Sequence, residues 1–179
     1  EIASSGSSIQ VNGRALRNLP ALWEPLEEAV ASLSPRAGTI VHGDLCFSNV
    51  LYDMRNGICK LLDPRGAFGR DGIHGDARYD VAKLYHSVRG LYDAIVADLF
   101  SVSASPGAMT LSVAPPPRHA AILHAFEETF FTAGGFDRRE IALITGCLFA
   151  SMVPLHADAP ARQLAFYATA LQLFDEVLT

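Results

Sequence analysis

Apolar positions along the chain follow two rhythms. From Pro20 to Ser32, Leu22, Leu26, Ala29 and Val30 recur at helical spacing with Leu33 just beyond, which predicts an amphipathic helix opened by proline in its first turn. Ser34-Pro35-Arg36-Ala37-Gly38 ends it. The period then shortens: Thr39-Ile40-Val41 is a β-branched run, His42-Gly43-Asp44 a loop, and Asn49–Asp53 and Ile58–Leu62 are apolar runs flanking Met54-Arg55-Asn56-Gly57. Asn-Gly between apolar runs predicts a β-hairpin, because both residues tolerate the positive φ of a tight turn.

Helical spacing returns from Asp76 to Phe100, where Tyr79, Leu84, Tyr85, Val88, Leu91, Tyr92, Ile95 and Leu99 line one side and Asp76 is the expected N-cap. Residues 101–117, rich in Ser and containing four prolines, are expected as a surface loop. Three further helices are expected at about 118–133, 137–153 and 160–178, the last opened by Pro160. Residues 1–19 are polar and predict a lead-in without a core, so 20–179 is the folded unit. The expected class is mainly α within α+β: a helical bundle with one small β-hairpin. Two strands alone are marginal in water, so the hairpin is expected to pack on the helices.

Composition narrows the function. Half of the 179 residues are hydrophobic and 18% are charged, enough to bury one core. A net charge of −5 without any Lys/Arg cluster argues against nucleic acid or an anionic membrane as partner. Cys46, Cys59 and Cys147 show no metal-ligand spacing and are expected as reduced core residues. With no leader pattern and no long uncharged apolar stretch, the expected location is the cytoplasm.

The chemistry concentrates in residues 41–66. With a two-residue hairpin loop Asn49 faces Pro64, and with a four-residue loop it faces Leu62; either register sets Asn49 beside Asp63. A carboxylate and an amide oxygen suit Mg2+, which takes few protein ligands and leaves the rest to water and phosphate. Asp44, five residues before Asn49, can face the same space and accept or orient a proton from an attacking hydroxyl. His42 is expected to brace this loop, and Arg65 either to pair with Asp44 or Asp76 or to meet phosphate. His86, His119, His124 and His156 lack carboxylates at ligand spacing and are expected as ordinary helix residues, and Phe126, Phe130 and Phe131 as packing residues.

His42-Gly43-Asp44, Asn49, the hairpin and Asp63-Pro64 together resemble the catalytic and metal-binding loops of the aminoglycoside phosphotransferase and choline kinase group, relatives of protein kinases. The resemblance covers residues 39–100 and implies the C-terminal lobe of a kinase-like fold. It makes Asp44 the catalytic base, Asn49 and Asp63 the Mg2+ ligands, and Asp80, in Gly75-Asp76-Ala77-Arg78-Tyr79-Asp80, the residue that steadies the loop. ATP is the implied co-substrate and a small-molecule hydroxyl the acceptor. The run Asp-Pro-Arg-Gly-Ala-Phe-Gly, with Tyr-Asp-Val-Ala-Lys-Leu-Tyr-His-Ser at 79–87, looks like bacterial phosphotransferases of surface-polysaccharide or sugar-nucleotide pathways, which favours a sugar, with choline, an amino alcohol or an aminoglycoside open. The second His-Gly-Asp, at 74–76, has Val81 where a metal ligand would stand, and is expected as a helix cap. The family's nucleotide-gripping N-terminal lobe has no counterpart here, since no glycine-rich strand turn and no lysine precede Lys60. The 179 residues are therefore expected to be part of a longer kinase, the intact Asp44, Asn49 and Asp63 weighing against a degenerate one. The rivals are a non-catalytic binding module and a metal-dependent hydrolase using His42, Asp44 and Asp63.

Overall fold

The computed structural model describes residues 6–36, 38–67 and 72–179. Residues 1–5 of the expected lead-in, Ala37 of the expected helix stop and Phe68-Gly69 of the Asp-Pro-Arg run lie outside them. The described residues form a mixed α+β fold with six α-helices and three small sheets.

Residues 8–17 are a β-hairpin, where a polar lead-in was expected. Strands β1 (Ser8–Val11) and β2 (Arg14–Arg17) pair antiparallel around the two-residue loop Asn12-Gly13, whose φ values of 52° and 78° are those of a type I′ turn. Ile9, Val11 and Leu16 are buried, so the hairpin has an apolar face that its polar composition conceals. Residues 101–117, expected as a loop, hold β7 (Phe100–Ser105) and β8 (Ala108–Val113), joined by Pro106-Gly107 with Gly107 at φ 75°. The four strands form one sheet in the order β2-β1-β8-β7, with β1 parallel to β8. Asn12 extends that parallel pairing: its amide donates to the Leu111 carbonyl at 3.0 Å and accepts from the Leu111 N–H at 2.8 Å.

Between these strands the chain runs through α1 (Leu19–Ala31), β3 (Thr39–Ile40), a 3-10 turn at Phe47–Asn49, β4 (Val50–Asp53), β5 (Ile58–Leu61), β6 (His74–Gly75), α2 (Ala77–Val88) and α3 (Tyr92–Val96). Asp76 caps α2, accepting from the Arg78 N–H at 2.9 Å, as expected. The expected long helix stops at Val88, however. Gly90 lies against the Phe149 ring and Leu91 adopts φ 55°, a left-handed turn that no α-helix continues. Helix α4 (His119–Phe126) passes into a π-helical turn at Glu127–Ala133, and α5 (Arg138–Leu155) and α6 (Pro160–Leu178) complete the chain.

Helices α2, α5 and α6 pack together, and α6 also meets β2, β7 and β8, so the core lies between the helices and the four-stranded sheet. Tyr85, Phe149, Phe166 and Phe174 fill it, with the Tyr85 ring stacked on Phe126 at 5.1 Å. Asn18, fully buried, ties β2 to α6: its carbonyl oxygen accepts from both the Leu19 N–H and the Tyr167 hydroxyl. The cysteines divide: Cys46 is buried, Cys147 half-buried and Cys59 exposed, so Cys59 is not the core residue expected. Strands β4 and β5 also depart from expectation. Leu51, Tyr52, Met54, Ile58 and Leu61 are all exposed, so the hairpin is not packed on the helices; it is held through its base at Asn49 and Leu62.

Helix α5 approaches α6 at Gly146, where a Cβ would stand 2.6 Å from the Phe174 ring. Alanine there gains about 1 kcal/mol of helix propensity, but overpacking a core this tight costs about 1–3 kcal/mol. Gly146→Ala should therefore lower the urea midpoint, and a raised midpoint would contradict the packing.

His86 is fully buried between Tyr92 at 4.2 Å and Phe149 at 4.1 Å, with neither ring nitrogen hydrogen-bonded among the described residues. Burial, then the nearby Lys83 charge, pushes its pKa well below the ordinary 6.5. Below that pH the unfolded chain takes up a proton that the folded chain refuses. Stability should fall with pH down to the depressed folded value, by at most about 1.4 kcal/mol per pH unit, and be insensitive to this group above the window. Urea midpoints at about pH 7.5 and about pH 5.5 should show a smaller acid loss in His86→Phe than in the parent.

Candidate functional site

One face of α2 organises the loop at residues 42–49. Asp80, Lys83 and Ser87 stand at i, i+3 and i+7, the spacing that aligns side chains along a helix. The Asp80 carboxylate accepts from the His42 N–H at 2.6 Å and the Gly43 N–H at 2.8 Å. Lys83 Nζ lies 2.6 Å from Asp44 Oδ1, and Ser87 Oγ accepts from the Phe47 N–H at 3.2 Å. From α3, Asp93 accepts from the Ser48 N–H at 3.3 Å. Four side chains on two helices thus hold five residues of a loop that has little regular structure of its own.

His42 is the junction between this loop and the hairpin base. Its ring Nδ1 faces the Asp44 N–H at 3.3 Å and its Nε2 faces the Leu62 carbonyl at 2.9 Å. An N–H can only donate and a carbonyl only accept, so the ring is the neutral tautomer protonated at Nε2. The His42 carbonyl accepts from the Arg65 N–H at 2.8 Å. The residues flanking Asp63 are therefore bonded to the residue that also positions Asp44. This is the bracing expected of His42, in more directions than its sequence position suggests.

The hairpin has the four-residue loop. Val50 pairs with Leu61 and Asp53 with Ile58, and the Leu62 N–H donates to the Asn49 carbonyl at 2.9 Å, so Asn49 faces Leu62. Asn49 meets Asp44 directly: its Nδ2 donates to the Asp44 carbonyl at 2.8 Å and to Asp44 Oδ2 at 3.2 Å. That leaves the Asn49 amide oxygen uncommitted. Asp63, next along from Leu62, is exposed, makes no side-chain hydrogen bond or ion pair among the described residues, and adopts φ 53° immediately before Pro64. A left-handed aspartate costs about 1 kcal/mol or more, strain of a kind that clusters at functional positions.

Arg65 does not make either expected ion pair. Asp44 is paired with Lys83, Asp76 with Arg78 at 2.5 Å, and Arg65 reaches only the Tyr79 hydroxyl at 3.5 Å. The second His-Gly-Asp serves structure: His74 and Gly75 pair with Ile40 and Thr39, and Asp76 caps α2.

Lys83 is the residue that motif spacing did not single out. Only 8% exposed, it places its ammonium 5.9 Å from the centre of the Tyr92 ring as well as against Asp44. A lysine three residues after Asp80 on the same helix face, in an otherwise apolar stretch, was the available signal, since buried lysines require a partner.

For a divalent cation, the donors to hand are the Asp63 carboxylate and the Asn49 amide oxygen. Among the described residues no group of three or more His, Cys, Asp and Glu side chains could hold a metal, so the protein supplies no closed cage. Two hard oxygen donors fit Mg2+ carried in with phosphate, and do not fit a tightly held transition metal. No helix among the described residues is long and apolar enough to cross a membrane. Comparison with protein-family models, curated proteins and solved structures finds no match for this chain.

The two braces should differ in worth. Asp80→Asn turns one acceptor into a donor facing backbone N–H groups and should cost about 2–3 kcal/mol. Lys83→Met should cost about 1 kcal/mol or less, because the Asp44 side chain is 38% exposed and the pair is partly screened. Denaturant midpoints, with faster native-state hydrogen exchange at the His42 and Gly43 amides in Asp80→Asn alone, would check the ranking.

Proposed function

We propose that the protein is an ATP-dependent phosphotransferase acting on a hydroxyl of a small molecule, with residues 42–65 as the catalytic and metal-binding part of a kinase-like C-terminal lobe. The observation that supports this reading is that His42 bonds both Asp44 and the residues on either side of Asp63, while Asn49 bonds Asp44.

In this mechanism Asp44 accepts the proton of the attacking hydroxyl. The acceptor oxygen forms a bond to the γ-phosphorus, the bond from that phosphorus to the bridging oxygen breaks, and ADP leaves with the electron pair. Lys83 aims the Asp44 carboxylate, and Asn49 holds it from the other side. Such chemistry asks the protein chiefly for positioning and charge neutralisation, which a loop pinned at five backbone N–H groups suits. Mg2+ bound with the nucleotide would be held by Asn49 and Asp63 and would neutralise charge on the transferred phosphoryl group.

ADP release should depend on both Mg2+ and an acceptor when the full natural chain is given ATP and a panel of sugars, alcohols, choline and aminoglycosides. Asp44→Asn should reduce that turnover about a hundredfold or more while leaving the fold intact. Absence of nucleotide binding and of acceptor-dependent turnover would overturn the proposal.

A further inference from the structure

A cavity of about 390 Å³ opens beside the Asp44 loop, between that loop, α3 and the start of α4. That volume is at the small-ligand end of binding pockets, which run to roughly 300–1,000 Å³. Its wall is almost wholly apolar: Phe47, Leu91, Leu99, Ile122 and the run Pro115-Pro116-Pro117. Three consecutive prolines have fixed φ and no N–H to satisfy, so this side of the cavity is rigid and carries few donors.

The polar groups of the wall are few and already engaged: His119 Nε2 donates to the Val88 carbonyl at 2.8 Å, and two others hold the loop. Ser87 accepts from Phe47 and Asp93 accepts from Ser48 through one oxygen. The other oxygen, Asp93 Oδ2, is shielded from solvent and has no hydrogen-bond partner among the described residues. An oxygen with no accessible surface is out of reach of an occupant, so the wall is apolar wherever a ligand can touch it. Ser87 is one helical turn, about 6 Å, from Lys83 along α2, and Phe47 is three residues from Asp44. The cavity therefore adjoins the proposed reaction centre and shares its supports.

We infer that this cavity takes the body of the phosphoryl acceptor, and that the acceptor is a compact alcohol with an apolar skeleton, aromatic or branched aliphatic. The inference rests on the phosphotransfer reading and departs from the sugar favoured by the Asp-Pro-Arg run: a polyhydroxylated ring would leave most of its hydroxyls facing proline and leucine without partners, whereas an apolar skeleton loses nothing there.

The test uses benzyl alcohol and cyclohexylmethanol as probes, with glucose and choline as contrasts, measured by amide chemical shifts of the full chain without nucleotide. The apolar alcohols should shift amides near Phe47, Ser87 and Leu99 and bind more tightly than either contrast. Leu99 and Ile122 stand at the exposed rim, 57% and 36% accessible, so Leu99→Glu with Ile122→Glu should keep the fold, checked by circular dichroism. That pair should weaken the alcohols about tenfold. Tighter binding of glucose, or shifts unchanged by the rim substitutions, would overturn the inference. Adding ATP and Mg2+ separates the two readings: alcohols that bind here but are not phosphorylated while a sugar or choline is sink the acceptor role alone, whereas no nucleotide binding and no turnover with any acceptor sinks phosphotransfer and the acceptor role together.

Discussion

Everything proposed for this protein hangs on one carboxylate reaching across to two backbone N–H groups. Asp80 takes both the His42 and the Gly43 amide protons, and without them the loop would have two donors facing a helix that offers nothing else at that position. A left-handed Gly43, at φ 79°, lets both N–H groups turn the same way. From that anchor the rest follows by short steps: His42 is fixed, its ring fixes the Asp44 amide and the Leu62 carbonyl, and Asp44 is placed between Lys83 and Asn49.

The helix that supplies Asp80 is built to withstand the load. Asp76 caps it, and Arg78, nearly buried, bonds Asp76 and the Ser34 carbonyl at 2.7 Å, tying its start to the segment after α1. Its opposite face, with Val81, Ala82 and Tyr85, lies in the core. A single element thus has one side committed to packing and the other to the loop, and displacement of either disturbs both. The exposed β4–β5 hairpin makes the complementary case. It contributes Asp63 yet is anchored only at its base, so its geometry is inherited from His42 and Asn49 and not from apolar burial.

The sequence made the helices and the β4–β5 turn legible because their signals are local: heptad-like spacing, Pro160 at a helix start, Asn56-Gly57 between apolar runs. It also offered two registers for the hairpin, of which the four-residue loop that sets Asn49 opposite Leu62 is the one formed, while the bond between Asn49 and Asp44 is one that register arguments do not reach. The four-stranded sheet was hidden. Asn12-Gly13 carries the same hairpin signal as Asn56-Gly57, but its strands alternate with Ser, Gln and Arg, and polar composition masks their period of two. Residues 100–113 were masked by Pro106 and a run of serines, although Val102, Met109 and Leu111 alternate as a half-buried strand requires. The parallel pairing of β1 with β8 joins positions 98 apart and leaves no local trace, Gln10 matching Ala108. Lys83 was passed over because its partner lies on another element.

That long-range pairing sets the order in which the molecule can assemble. Strand β1 is an inner strand of the sheet, bonded on one side to its neighbour in sequence and on the other to a strand that the ribosome delivers about a hundred residues later. The N-terminal hairpin therefore waits, half-paired, with an open edge through most of synthesis, while the entire Asp44 loop and the helix that braces it emerge. The Asp44 loop of this chain is born before the sheet that closes the fold.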